Sequence, residues 1–240
     1  MNHPIEIQQI SKRFGKKVVL HDINLTIEQG QIYGFIGPSG AGKTTLVKMI
    51  VGMDEPDTGT IHVLNKKVPN LDLLQDIGYM AQADALYLEL TGEENLKFFA
   101  SLFKLKKTET KERIAYVADL VGLTNELSKK VSAYSGGMKR RLSLAIALIQ
   151  NPKILILDEP TVGIDPELRL SIWNELLRLK KEENKTIIVT THVMDEAERC
   201  DIVAMVRDGI ILTKGAPAEL KARYNASSFD EVFLQAGRGE

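Results

Sequence analysis

The stretch Gly37-Pro38-Ser39-Gly40-Ala41-Gly42-Lys43-Thr44 fits the pattern G-x-x-x-x-G-K-[ST]. It lies between an apolar run, Gln31 to Ile36, and a segment of helical character, Lys43 to Val51, which is the context that its chemistry requires. Glycines let the main chain turn its N–H groups inward around phosphate oxygens, and the start of the following helix adds positive potential. Lys43 supplies a mobile charge for the outer phosphates, and Thr44 offers a hydroxyl to Mg²⁺. Strand, glycine turn and helix in this order predict an α/β fold around a phosphate-binding loop.

On the N-terminal side, Ile5 to Ile10 and Val18 to Ile27 alternate as strands, broken at Phe14-Gly15 and again at Glu28-Gln29-Gly30. Thr60 to Leu64 reads as a further short strand. From Thr91 to Gln150 the period becomes helical, with one apolar stripe at Leu96, Phe99, Ala100 and Phe103 and another at Ile114, Val117, Ala118 and Val121. Beyond it, Ile154 to Leu157 is wholly apolar, the mark of a strand covered on both faces. Asp165-Pro166 opens a helix running to about Glu183, with an N-cap and an N1 proline. Thr186 to Thr190 is a β-branched strand ending at Thr191-His192, and Arg207-Asp208-Gly209 joins two strands in a hairpin.

The 240 residues suit one large domain or two small ones, at roughly 100–200 residues each. Hydrophobic residues at 44% and charged residues at 26% exclude a wholly disordered chain. Lys plus Arg (31) balances Asp plus Glu (32), so the net charge of −1 gives no reason to expect nucleic acid as a partner. The single cysteine, Cys200, excludes an internal disulfide and a cysteine-based zinc site, and fits a reducing compartment. No apolar run approaches the ~20 residues of a membrane span, and the residues after Met1 carry no secretion signal. The chain is expected to be soluble and intracellular.

Two further motifs specify the chemistry. Ile154 to Leu157 delivers Asp158 and Glu159 at its C-terminal end, where open α/β sheets bind ligands. Asp158 would hold Mg²⁺ through water, and Glu159 would orient or deprotonate an attacking water. Shortly before this strand stands Tyr134-Ser135-Gly136-Gly137-Met138-Lys139-Arg140-Arg141, at the start of a helix ending near Gln150. Alone it would be a capped helix; Ser135, Gly136 and Gly137 also make a second anion cradle.

In this order and spacing the motifs resemble those of ABC-type ATPases, from about Ile5 to Leu220. The resemblance implies a P-loop NTPase core with a mainly parallel sheet, an N-terminal antiparallel β-subdomain and an inserted α-helical subdomain. Residues 1–225 would form the ATPase domain, with the helical part over about 84–150 and a short tail at 226–240. It implies ATP and Mg²⁺ as cofactors, with Thr44, Gln82 and Asp158 around the metal. The nucleotide would be held by Gly37, Pro38, Ser39, Gly40, Ala41, Gly42, Lys43, Thr44 and Thr45 of one chain, and by Ser135, Gly136 and Gly137 of a second copy.

By the same likeness Phe14 would stack on adenine, Gln82 would sense Mg²⁺ and the attacking water, and His192 would contact the γ-phosphate. Asp165, in Gly163-Ile164-Asp165, matches a loop that crosses the dimer interface. Catalysis would rest on Glu159, His192, Gln82 and Lys43. Two stretches depart from the commoner pattern: Tyr134 and Met138 stand for leucine and glutamine, so a polar contact from position 138 is lost, and the interface loop reads Val162-Gly163-Ile164-Asp165 in place of a serine-alanine-leucine form. These variants, and the tail Phe229 to Leu234, look like those of bacterial-type exporters whose permease is a separate protein. The implied function is the ATP-hydrolysing motor of a transporter. It would act as a dimer on the inner face of the cell membrane, beside an integral-membrane permease and a second ATP-binding subunit. The alternatives are a soluble ABC ATPase acting on ribosomes or DNA, and a nucleotide-binding scaffold without turnover. The presence of Glu159 and His192 argues against the scaffold.

Overall fold

The computed structural model describes residues 3–83 and 85–237. The chain runs β1 (Ile5–Phe14), β2 (Lys17–Ile27), β3 (Ile32–Ile36), α1 (Lys43–Ile50), β4 (Thr58–Val63), β5 (Lys66–Lys67) and β6 (Ile77–Met80). Then come α2 (Gly92–Leu102), α3 (Lys107–Leu120), α4 (Gly136–Leu148), β7 (Ile154–Asp158) and α5 (Pro166–Glu183). Last are β8 (Thr186–Thr191), β9 (Ile202–Arg207), β10 (Ile210–Gly215), α6 (Pro217–Arg223) and α7 (Phe229–Ala236). Contacts divide it into two compact units, one of residues 1–73 with 186–240 and the other of residues 74–185.

In the first unit β1 pairs with β2 and β4, and β4 with β5, all antiparallel. The alternation read from the sequence holds in part: Ile5 and Ile7 of β1 and Ile23, Leu25 and Ile27 of β2 are buried in step, while Ile10 and Leu20 are buried beyond shifts of register in the pairing of β1 with β2. Each such side chain contributes about 1.5–3 kcal/mol by leaving water. A second group of strands is mainly parallel: β3 pairs with β8 and with β9, while β10 closes it as an antiparallel hairpin partner of β9. Every residue of β3 and β8 is buried, as expected for parallel strands covered on both faces. Helix α1 leaves the end of β3 through the glycine loop. The tail helix α7 buries Phe229 and Val232 and packs on the short helical turn Met194–Arg199.

In the second unit β6 and β7 form a parallel pair, and all five residues of β7 are buried. Helices α2, α3 and α4 occupy the segment read as helical. The capping box of Thr91 and Glu94 starts α2: the Glu94 carboxylate accepts the Thr91 N–H at 2.8 Å, which holds its carboxyl below the usual range. Both expected stripes turn inward at Leu96, Ala100, Ile114, Val117, Ala118 and Val121, whereas Phe99 and Phe103 are only half-buried. Helix α4 is buried on most sides, and its last carbonyls, Leu148 and Ile149, accept from the Arg113 guanidinium of α3 at 2.5 and 3.1 Å. Asp165 caps α5 by accepting the Leu168 N–H at 2.9 Å, with Pro166 in the first turn. Among the described residues no helix is long and apolar enough to cross a membrane.

Candidate active site

In the first unit the phosphate loop follows β3 directly. Gly37 lies hard against β9: a Cβ there would sit 2.0 Å from the Val206 carbonyl oxygen. Gly42, the N-cap of α1, takes φ +105°, a conformation open to glycine, while its back touches Val19 and Leu20. Both glycines are therefore dictated by main-chain geometry. Pro38, Ser39 and Gly40 form an exposed rim, and Gly37, Ala41, Gly42 and Lys43 are buried behind it. Lys43 is 5% exposed, and its Nζ donates to the carbonyls of Gly37 at 2.7 Å and Pro38 at 2.9 Å. Thr44 and Thr45 stand half-buried in the first turn of α1. A loop open at Gly40, with an ammonium inside it and a helix start beneath, fits a polyphosphate chain.

The same unit carries Phe14 and His192. Phe14 ends β1 with 52% of its surface exposed, and Lys12 Nζ lies 5.2 Å from its ring centre. Lys12 is fixed there by the Asp54 carboxylate and the Glu55 carbonyl, each at 2.6 Å. One exposed aromatic face, braced by a cation, suits stacking on a planar base. His192 is exposed immediately beyond β8, where the Thr191 hydroxyl accepts the Val193 N–H at 3.0 Å.

In the second unit β7 ends on Asp158, which is 1% exposed, and Glu159 follows, half-buried, with φ +55°. That left-handed conformation is costly for a glutamate, by about 1–3 kcal/mol, and turns its carboxylate out of the strand direction. Gln82, just after β6, comes within 3.4 Å of it, Nε2 donating to Glu159 Oε2. The parallel pairing of β6 with β7 accounts for this meeting of residues 77 positions apart. The half-buried Tyr79 hydroxyl is pushed up to about 12 by burial and then by the Asp158 carboxylate, with Arg140 opposing. Thr44 in the first unit and Asp158 in the second each carry a hard oxygen of the kind that Mg²⁺ takes.

The second cradle opens α4. Ser135 is exposed, and its Oγ accepts the Met138 N–H at 3.2 Å, so the Gly136 and Gly137 N–H groups stand at a free helix start. Gly137 also borders the loop Gly163-Ile164-Asp165, since a Cβ on it would lie 3.4 Å from the Gly163 carbonyl oxygen. Asp165 in that loop is exposed, with its side chain engaged as the α5 cap. The first unit thus holds Phe14, Gly37 to Thr45 and His192, and the second holds Gln82, Ser135 to Gly137, Asp158, Glu159 and Asp165.

Two residues of the quoted motif do more than the sequence suggested. Tyr134, read only as a departure from leucine, is buried, and its hydroxyl donates to the Glu126 carbonyl at 2.8 Å. Arg140, given no role, is 7% exposed and donates to the carbonyls of Ala81, Gln82, Asp158 and Glu159. Nothing in the sequence singles out Arg140 from its neighbours in the basic run Lys139-Arg140-Arg141.

The model of the family described as "ABC transporter" matches residues 20–162. A relative named Nod factor export ATP-binding protein I, from Burkholderia lata, is 41% identical over 220 residues, covering 90% of this chain and 72% of that protein. Among solved structures, the ATP-binding subunit of an ABC transporter superposes with TM-score 0.89 at 27% identity, covering 97% of this chain and 99% of the other. A dimeric ATP-binding cassette in a post-hydrolysis state, bound to ADP and Pi, gives 0.82 at 28% identity, covering 88% and 98%.

Proposed function

The chain belongs to the ABC transporter family as its ATP-binding, ATP-hydrolysing subunit, and we propose that it drives export through a separate membrane permease. The observation that carries the ATPase reading is the phosphate loop, with buried Lys43 held on the carbonyls of Gly37 and Pro38 at the start of α1. The name of the Burkholderia lata relative supports the outward direction. Residues 1–225 are read as the ATPase domain, with its helical part at about 84–150 and a tail at 226–240. The position of α2 to α4 and of α7 supports that division.

In this reading Lys43 and the loop N–H groups neutralise and orient the phosphates, and Phe14 stacks on the base. Thr44, Gln82 and Asp158 are the groups suited to Mg²⁺, which would supply charge neutralisation of the phosphates. Glu159 directs the attacking water, with Gln82 beside its carboxylate, and His192 contacts the γ-phosphate. Phosphoryl transfer needs chiefly such positioning and charge balance. Ser135 to Gly137 of one protomer would complete the site of its partner, and C2 symmetry repeats the contact. Asp165 would lie at that same interface. Hydrolysis replaces one bound anion by two that repel each other, and the dimer opens.

The permease contact is assigned to Gln82 and the segment after it, up to Tyr87; Asp84 lies outside the described residues. Tyr87 is 49% exposed and packs edge-on to Phe98, with ring centres 4.8 Å apart. Its main chain is pinned to Asn95 by two hydrogen bonds of 3.0 Å. An exposed aromatic group five residues after Gln82 in sequence suits a peripheral subunit on the inner membrane face. Cross-linking from residues 83–87 in membranes, followed by identification of the captured partner, tests this. Capture of an integral-membrane protein is expected, whereas cross-links confined to ribosomal proteins or DNA would favour the non-transport alternative.

A further inference from the structure

We propose that Arg140 is a positioning residue that ties α4, the signature helix that opens at Ser135–Gly137, to the hydrolytic residues, so that nucleotide engaged at Ser135–Gly137 governs turnover at the protomer's own site. Arg140 lies roughly one and a half turns after Ser135 on α4. Its Nη1 donates to the carbonyls of Ala81 at 2.7 Å and Gln82 at 2.9 Å. Its Nη2 donates to the carbonyls of Asp158 and, at 2.8 Å, of Glu159. The planar guanidinium therefore spends its two terminal amino groups on two chain segments at once. Those segments carry Gln82 and Glu159, whose side chains meet at 3.4 Å.

The geometry makes this more than a buried ion held by convenient acceptors. Glu159 takes the left-handed conformation at φ +55°, and the Arg140 bond to its carbonyl helps to hold that turn. Gln82 follows β6 in a stretch without regular structure, and its carbonyl is held by the same amino group that holds Ala81. Charge-assisted bonds in a buried place are the stronger kind, and a fixed fork spans two acceptor pairs where an ammonium cannot. A shift or tilt of α4 therefore moves the backbone of both residues together.

This inference rests on the dimer reading given above. There, Ser135 to Gly137 serve the partner's nucleotide, while Gln82 and Glu159 serve the protomer's own. Arg140 is then the physical link between the two nucleotide sites of the dimer, and ATP binding at one should set the turnover of the other.

The test compares wild type with Arg140→Met, which keeps the length without donors, and Arg140→Lys, which keeps the charge without the fork. Titration with Mg-ATP yields affinity, kcat and the Hill coefficient, and hydrogen exchange follows peptides covering residues 77–83 and 154–162. Both variants should bind ATP within about twofold of wild type while kcat falls by roughly 10–100-fold, as for a misplacement of about 1 Å. The Hill coefficient should drop from near two, its limit for two sites, towards one. Exchange in both peptides should quicken already without nucleotide. A lower melting temperature and a lower kcat with the wild-type Hill coefficient would mean a merely structural residue, and would overturn the proposal. Unchanged exchange in the nucleotide-free variants would overturn it as well. If wild type itself failed to hydrolyse ATP, the functional reading would fall instead, and exchange in the nucleotide-free proteins would still decide whether Arg140 holds the two segments.

Discussion

The phosphate loop and the signature helix are built on the same device, main-chain N–H groups at the start of a helix, yet they are held in place by different means. Around Gly37 to Gly42 the constraint is close approach of the main chain itself: Gly37 against the Val206 carbonyl, and Gly42, at φ +105°, against the Val19 carbonyl and the Leu20 side chain. The loop's charged residue, Lys43, bonds back to the loop's own carbonyls. Around Ser135 to Gly137 the constraint comes from side chains. Tyr134 anchors the entry to the Glu126 carbonyl, Ser135 caps the helix, and Arg140 clamps two segments distant in sequence. The first arrangement is rigid because little can move. The second can be adjusted, which suits the proposed role of reporting on a partner's nucleotide.

The largest effects should come from the chemical groups that the two arrangements hold, Lys43 in the loop and Glu159 under the Arg140 clamp, and they should differ in kind. Lys43→Ala removes the charge proposed to meet the phosphates, so ATP binding should weaken and turnover should cease. Glu159→Gln keeps the shape and should keep nucleotide binding, but it removes the carboxylate proposed to direct the water, with an expected loss of ~10²–10⁴-fold in kcat. Loss of one negative charge beside the phosphates should also favour closure. Light scattering with Mg-ATP should show a long-lived dimer for Glu159→Gln and none for Lys43→Ala. A Glu159→Gln protein that hydrolyses ATP at the wild-type rate would remove Glu159 from the mechanism.

Gly37→Ala comes next and probes the main-chain constraint. The added methyl would meet a β9 carbonyl at 2.0 Å, and neither the loop nor the strand can yield as a flexible side chain would. Overpacking of this sort costs about 1–3 kcal/mol, sometimes more. The urea midpoint should fall with the slope unchanged, and ATP affinity should fall with it. Wild-type stability in this variant would show that the loop has slack, and the contrast between the two regions would dissolve.

The same contrast explains what was legible in the sequence. The phosphate loop could be read in full because its requirements are local: glycines for the turn, a lysine and threonine at fixed offsets, a strand before and a helix after. The caps at Ser135 and Asp165, the hairpin at Asp208-Gly209 and the buried runs of β3, β7 and β8 were legible for the same reason. The meeting of Gln82 with Glu159 was implied only through family likeness, since it depends on the pairing of β6 with β7. Strand β6, four residues with an internal glycine, carries too little pattern to announce itself. Arg140 and Tyr134 stood inside the quoted motif, but a side chain that acts by bonding distant carbonyls leaves no periodic trace.

Ser135→Ala should have a smaller effect on stability than Gly37→Ala and a distinct effect on assembly. Losing the bond from the Met138 N–H to Ser135 Oγ costs about 0.5–2 kcal/mol, the range for an N-cap. ATP binding to the monomer should be retained, while the Glu159→Gln dimer should form less readily when the second change is present. Equal dimer formation in the single and double variants, measured by light scattering, would remove Ser135 from the interface.

Tyr134→Phe tests the finest part of the contrast, one hydroxyl that fixes where the signature helix begins. The bond to the Glu126 carbonyl is 2.8 Å long, and burial raises the phenol's pKa above its ordinary value, so the group is neutral and a donor at any working pH. Removing it leaves a carbonyl on a half-buried turn, where water can take the donor's place, so the net loss should be about 0.5–1.5 kcal/mol. Leucine, the commoner residue at this position, would lose more, because the tyrosine ring tip also packs where Gly92 begins α2: a Cβ on Gly92 would lie 2.3 Å from the hydroxyl. The expected order of melting temperatures is wild type, Tyr134→Phe, Tyr134→Leu, with ATP affinity of the monomer unchanged in all three. If Tyr134→Leu matched wild type in both stability and ATP-driven dimerisation, the tyrosine would be an incidental replacement and side-chain anchoring of the signature would rest on Ser135 and Arg140 alone.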